Sequence, residues 1–89
     1  MFWTINDNKS CEYCGQTFTS SNIGTTDHLI PKGKFRAYAD VPWTWVISCL
    51  SCNLRKADYV NPSIPFIPEN RDLLIEDVRI NKLKITSKH

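Results

Sequence analysis

The sequence predicts a small α+β fold stabilised by zinc, and three observations carry that prediction. The chain has 89 residues, of which 42% are hydrophobic. At that size one core forms but stays thin, and a metal or disulfides commonly reinforce it. Its four cysteines form two C-x-x-C pairs, Cys11/Cys14 and Cys49/Cys52, with none left over. Between and after those pairs, β-rich stretches give way to stretches of helical periodicity. Paired cysteines also make disulfides, but two tight C-x-x-C turns are the halves of one tetrathiolate site, and one structural Zn2+ is expected.

The elements follow in order along one expected domain, 1–89, with a core over 11–58 and a covering segment over 59–89. Residues 1–10 read as an extended lead-in. Residues 11–15 have the form of a zinc knuckle, with Gly15 free to take the positive φ of a tight turn. Residues 17–26 are rich in Ser, Thr, Asn and Gly and read as a loop. A short strand is expected over 25–30, closed by Pro31, then a basic loop over 32–39 and a second strand over 41–48. Residues 49–58 should be helical, with Leu50, Leu54 and Ala57 on one apolar side. Three prolines between 61 and 68 demand an extended segment. A C-terminal helix over 69–82 is expected to bury Leu73, Leu74, Ile75 and Val78, with Glu69 and Asp72 near its start and Lys82 near its end, as the helix dipole favours.

Composition narrows the function classes. The first ten residues lack the basic start and apolar run of a secretory signal, and the longest apolar stretch, 45–50, is far too short to span a bilayer. A cytoplasmic protein without a membrane partner is expected, in a setting where thiols stay reduced. The formal net charge is only +2, which does not announce a nucleic-acid partner by itself. The distribution is uneven, however: Lys32, Lys34 and Arg36 follow Asp27-His28, Arg55 and Lys56 follow the last cysteine, and Arg79, Lys82, Lys84 and Lys88 populate the C-terminal end. Acidic residues gather at Glu69, Asp72, Glu76 and Asp77.

The chemistry-bearing residues lie beside the cysteines. Four thiolates leave a zinc ion no open position, so that metal is a scaffold. Asp27 supplies a hard oxygen suited to Mg2+ or Mn2+ beside His28, a base suited to neutral pH. Within a regular strand these two side chains point to opposite faces, so serving one ion requires a local distortion. Asn53 follows the last cysteine and is fixed by it; its ordinary role there is local hydrogen bonding. Lys56 lies three residues on, on the same helical face.

The order C-x-x-C, Asp-His-apolar-apolar-Pro, then C-x-x-C-Asn-x-x-Lys resembles the HNH endonuclease family, of the ββα-metal fold type stapled by a four-cysteine zinc. The resemblance spans about residues 11–58. It implies a divalent-metal-dependent DNA endonuclease or nickase that uses one catalytic Mg2+ or Mn2+ and leaves 5′-phosphate and 3′-hydroxyl ends. His28 matches the general base, Asp27 the acidic metal ligand that precedes it, and Asn53 the last ligand position of the motif. The middle Asn of the family falls at Thr44, a departure from the pattern. Thr44 would have to support the site with one hydroxyl in place of an amide. Lys32, Lys34, Arg36, Arg55 and Lys56 are candidates for sequence-blind phosphate contacts. Two alternatives stand beside this reading: a non-catalytic zinc module binding nucleic acid or a protein partner, and a nuclease subunit active only within a larger assembly. Phage and bacterial settings are both reasonable by analogy.

Overall fold

Two five-residue stretches supply the sheet: β1 (Gly24–His28) and β2 (Trp45–Cys49). Thr, Val and Ile suit a pleated, half-buried surface, and the strands pair antiparallel in an unbroken register from Gly24↔Cys49 to His28↔Trp45. The computed structural model describes residues 10–85. The lead-in expected over 1–10 lies, apart from Ser10, outside those residues, as does Lys88.

Both strands are shorter than expected, for one reason. Pro42 opens a 3-10 turn, Pro42–Thr44, closed by the Thr44 N–H to the Val41 carbonyl at 3.0 Å. Strand geometry on that side therefore begins only at Trp45. Leu29 continues the register with one bond, its N–H to the Thr44 carbonyl at 2.7 Å, and among the described residues the ladder goes no further. Leu29, Ile30 and Pro31 turn inward and are buried instead.

Helix α1 (Leu50–Lys56) follows β2 without a loop. Two of its first orphan N–H groups are satisfied from the stretch before β1: Leu50 donates to the Ile23 carbonyl at 2.9 Å and Ser51 to Asn22 Oδ1 at 3.1 Å. The apolar side expected from Leu50, Leu54 and Ala57 is not the buried one. Leu50 is 38% and Leu54 70% exposed, while Cys52 and Lys56 face inward. The physical reason is the cysteine pair. Turning Cys52 toward the other thiols fixes the helix rotation, and Lys56, four residues on, shares its face.

A two-stranded sheet is marginal in water, and the C-terminal segment supplies the missing core. Helix α2 (Arg71–Asp77) is preceded by a 3-10 turn, Pro68–Asn70, and followed by a π turn, Val78–Lys82. The buried side chains are Leu74, Ile75, Val78 and Leu83, joined in one cluster to Tyr13, Leu29, Val46 and the cysteines. Leu73, expected in that face, is 54% exposed. The wide i→i+5 ring, Leu83 N–H to the Val78 carbonyl at 2.9 Å, turns residues five apart to one side and breaks the simple helical period. Each such side chain contributes about 1.5–3 kcal/mol by transfer from water. Phe66 of the Pro-containing segment meets the rings of Phe35 and Tyr38 edge-on at 5.1 and 5.5 Å, and so holds the basic loop.

Candidate metal centre and active site

The first knuckle forms because Gly15 takes φ +82°, as expected. The turn lets the Tyr13 and Cys14 N–H groups donate to Cys11 Sγ at 3.3 and 3.4 Å. The second pair comes from the end of β2 and the first turn of α1. Together the Sγ atoms of Cys11, Cys14, Cys49 and Cys52 all lie within 4.8 Å of one another, and no cysteine is disulfide-bonded. A tetrahedron with bonds of about 2.3 Å has sulfur–sulfur edges of about 3.8 Å, and Cys14 Sγ to Cys49 Sγ measures 3.8 Å. The donor set and its spacing fit a tetrathiolate zinc ion. Hydrogen bonding with Cys52, aided by backbone N–H groups and opposed by burial, brings the Cys11 thiol down to about 4. Burial pushes the Cys14 thiol up.

Asp27 and His28 leave that scaffold in different directions. The ladder stays regular through His28↔Trp45, so alternation sends the two side chains to opposite faces; the local distortion needed to bring them to one ion is absent. Asp27 is 7% exposed, and its Oδ2 accepts the Tyr13 hydroxyl at 2.9 Å and lies 3.9 Å from Lys56 Nζ. Burial pushes the Asp27 carboxyl up, against the pull of Lys56, Tyr13 and the His28 N–H. The same burial pushes the Lys56 ammonium down, against Asp27 and Asp58. His28 is half-buried at the last pair of the ladder.

Asn53 is on the side of α1 that meets β1. Thr25 spends its single hydroxyl hydrogen on the Ser48 carbonyl at 2.9 Å, so toward Asn53 it can only accept. The Asn53 amide nitrogen therefore faces Thr25, at 2.9 Å, and its carbonyl oxygen points away with a lone pair to offer. Thr25 and Asp27 share a face of β1, so Asn53 and Lys56 line up along α1 opposite Thr25 and Asp27. Thr44 is completely buried, and its hydroxyl donates to the Val41 carbonyl at 2.7 Å. Its hold on Leu29 is a main-chain bond, which asks nothing of the side chain.

The basic residues divide. Lys32 and Arg36 are exposed on a cleft of about 430 Å³ completed by Gly33, Ala39 and Asp40. Lys34 is exposed and 3.8 Å from Asp58. Arg55 donates to the Leu83 carbonyl at 2.6 Å. Lys56 corrects the expectation of a phosphate contact: it is 0% exposed, and its ammonium donates to the His28 carbonyl at 3.0 Å. Three residues not singled out in the sequence complete the site's support. Tyr13 reaches Asp27, while Arg71 forks onto Glu12 at 3.0 and 3.2 Å inside the knuckle. For Tyr13 the available signal is a hydroxyl-bearing ring between two metal ligands; Glu12 and Arg71 gave none.

The family model described as HNH endonuclease matches residues 11–58, more than half of the chain. No curated protein and no solved structure matches. Among the described residues, no helix is long and apolar enough to cross a membrane.

Proposed function

Because this chain belongs to the HNH endonuclease family, we propose that it hydrolyses phosphodiester bonds in DNA with the help of a divalent cation, using β1, β2 and α1 as its ββα-metal unit. The observation that carries the reading is the orientation of Asn53, whose carbonyl oxygen the Thr25 hydrogen-bond pattern turns away from Thr25. Asn53 fits a hard-cation ligand. Asp27 adds to it, since a carboxylate accepts more bonds than the Tyr13 hydroxyl takes. When bound there, Mg2+ or Mn2+ supplies Lewis-acid stabilisation of the phosphate and the leaving oxygen.

The remaining work falls to side chains. His28 takes the proton of the attacking water. It sits at the last pair of the ladder, so a local change at that strand end, where Lys56 holds its carbonyl, aims its ring toward a phosphate held at Asn53. Lys32 and Arg36, on the cleft that follows Pro31, hold the flanking backbone by sequence-blind contacts. Thr44 stands where the family has Asn and supports the site by fixing Leu29 through its carbonyl.

A second reading, a non-catalytic zinc module, is favoured by one observation: Asp27 is already engaged by Tyr13 and Lys56. Supercoiled plasmid incubated with zinc-loaded protein, with and without Mg2+ or Mn2+, separates the two. Metal-dependent nicking that His28→Ala abolishes is the expected result. Salt-sensitive DNA binding without cutting, unaltered by His28→Ala, would establish the second reading instead.

A further inference from the structure

Each cysteine pair sends one polar group to the same dipeptide. Tyr13 lies between Cys11 and Cys14, is completely buried, and donates its hydroxyl to Asp27 Oδ2 at 2.9 Å. Lys56 lies one helical turn beyond Cys52, is likewise completely buried, and donates to the His28 carbonyl at 3.0 Å. Tyr13 is held at its N–H by Cys11 Sγ, Lys56 shares a helix with Cys52, and both end on Asp27-His28. A buried charge pair seldom adds net stability over apolar side chains of similar volume. Placing Asp27, Lys56 and a phenol together in a thin core therefore needs a reason other than stability.

We propose that Tyr13 and Lys56 are positioning residues for His28, each carrying the geometry of one half of the zinc cluster to the strand end that bears the base. This rests on the hydrolase reading for its kinetic consequence, though not for its structural one. Without the two contacts, β1 keeps its ladder and the Leu29–Thr44 bond beyond it, but the Asp27 side chain and the His28 carbonyl lose their ties. Zinc occupancy is then felt at His28 as alignment, in addition to its effect on folding.

The test uses the zinc-loaded full chain and two variants that preserve volume, Tyr13→Phe and Lys56→Met. Loss of a partner that orients a ligating or reacting group typically lowers activity by about 10–100-fold. We expect kcat for plasmid nicking to fall at least about ten-fold with KM and zinc content unchanged, and the His28 imidazole resonances to move in two-dimensional NMR spectra. Unchanged His28 resonances in both variants would overturn the proposal, as would a kcat loss matched by loss of zinc or of folded protein. If the wild-type chain cuts nothing, the hydrolase reading fails, and the resonances alone decide whether Tyr13 and Lys56 position His28. If one variant fails to fold, the other is read in the same way.

Discussion

Replacing Arg71 by alanine removes the main polar tie between the C-terminal helix and the metal-bearing half of the fold. The guanidinium donates to the Trp43 and Trp45 carbonyls, each at 2.9 Å, and forks onto Glu12. Hydrogen bonds to a charged group contribute about 1.5–3 kcal/mol each. With side-chain exposures of 28% for Arg71 and 31% for Glu12, the lower end applies. Two carbonyl bonds at that end give about 3 kcal/mol, and the partly exposed ion pair adds well under about 1 kcal/mol. At about 4–8 °C per kcal/mol for a domain of this size, Arg71→Ala should lower Tm by about 12–24 °C. The assay is thermal and urea unfolding of zinc-loaded protein, followed by circular dichroism. Arg71→Lys should recover no more than about half of the loss, because an ammonium cannot reproduce a planar fork. A loss below about 1 kcal/mol for the alanine variant, or a lysine variant as stable as wild type, would refute the argument.

Chelation should release one metal per chain and abolish cooperative unfolding, since Cys11, Cys49 and Cys52 are part of the core cluster and Cys14 packs against it; a chelated chain that keeps its near-UV circular dichroism would count against this. Ala57→Gly should raise stability by about 1 kcal/mol, because Ala57 has φ +51° at the end of α1; no gain in urea midpoint would show that the turn relaxes. Partial burial pushes the Asp77 carboxyl up, but donors from Tyr59, Asn61 and Asn81 outweigh it and hold the group below its usual range, while Tyr59 is pushed up to about 12. The Asp77 contribution is complete above the unfolded-state value and disappears as pH falls through the folded one. Between about pH 5 and about pH 2, wild type should therefore lose more Tm than Asp77→Asn, and equal slopes would reject the assignment.

What the sequence revealed depended on how locally each feature is determined. The knuckle was legible because C-x-x-C spacing and Gly15 act within a few residues, and the convergence of all four thiols follows from their chemistry. The strands were legible as elements, but their ends were not, because Pro42 starts a turn whose effect reaches Ile30 across the sheet. The outward face of α1 was misread because the apolar spacing of Leu50 and Leu54 is ordinary, whereas the burial of Cys52 overrides it. Lys56 was misassigned for a related reason: nothing in a lone lysine signals that its ammonium ends on a main-chain carbonyl. The π turn defeated periodicity beyond Val78, which hid Leu83. The support around Asp27 joins residues far apart in the chain, Tyr13 and Lys56, and only folding brings them together.

The contacts of Glu12 and Arg71 also bear on solubility. Both strands of a two-stranded sheet have an outer edge, and an unpaired edge is a template for joining another chain. On β2 the outward groups of Ile47 are taken by Glu12, its N–H by Oε2 and its carbonyl by the Glu12 N–H, both at 2.9 Å. Arg71 takes the outward carbonyl of Trp45. One residue of the knuckle and one of α2 thus act as a substitute third strand. Loosening either would bare the outward backbone groups of Trp45 or Ile47, and the first symptom of damage would be strand-to-strand association between copies.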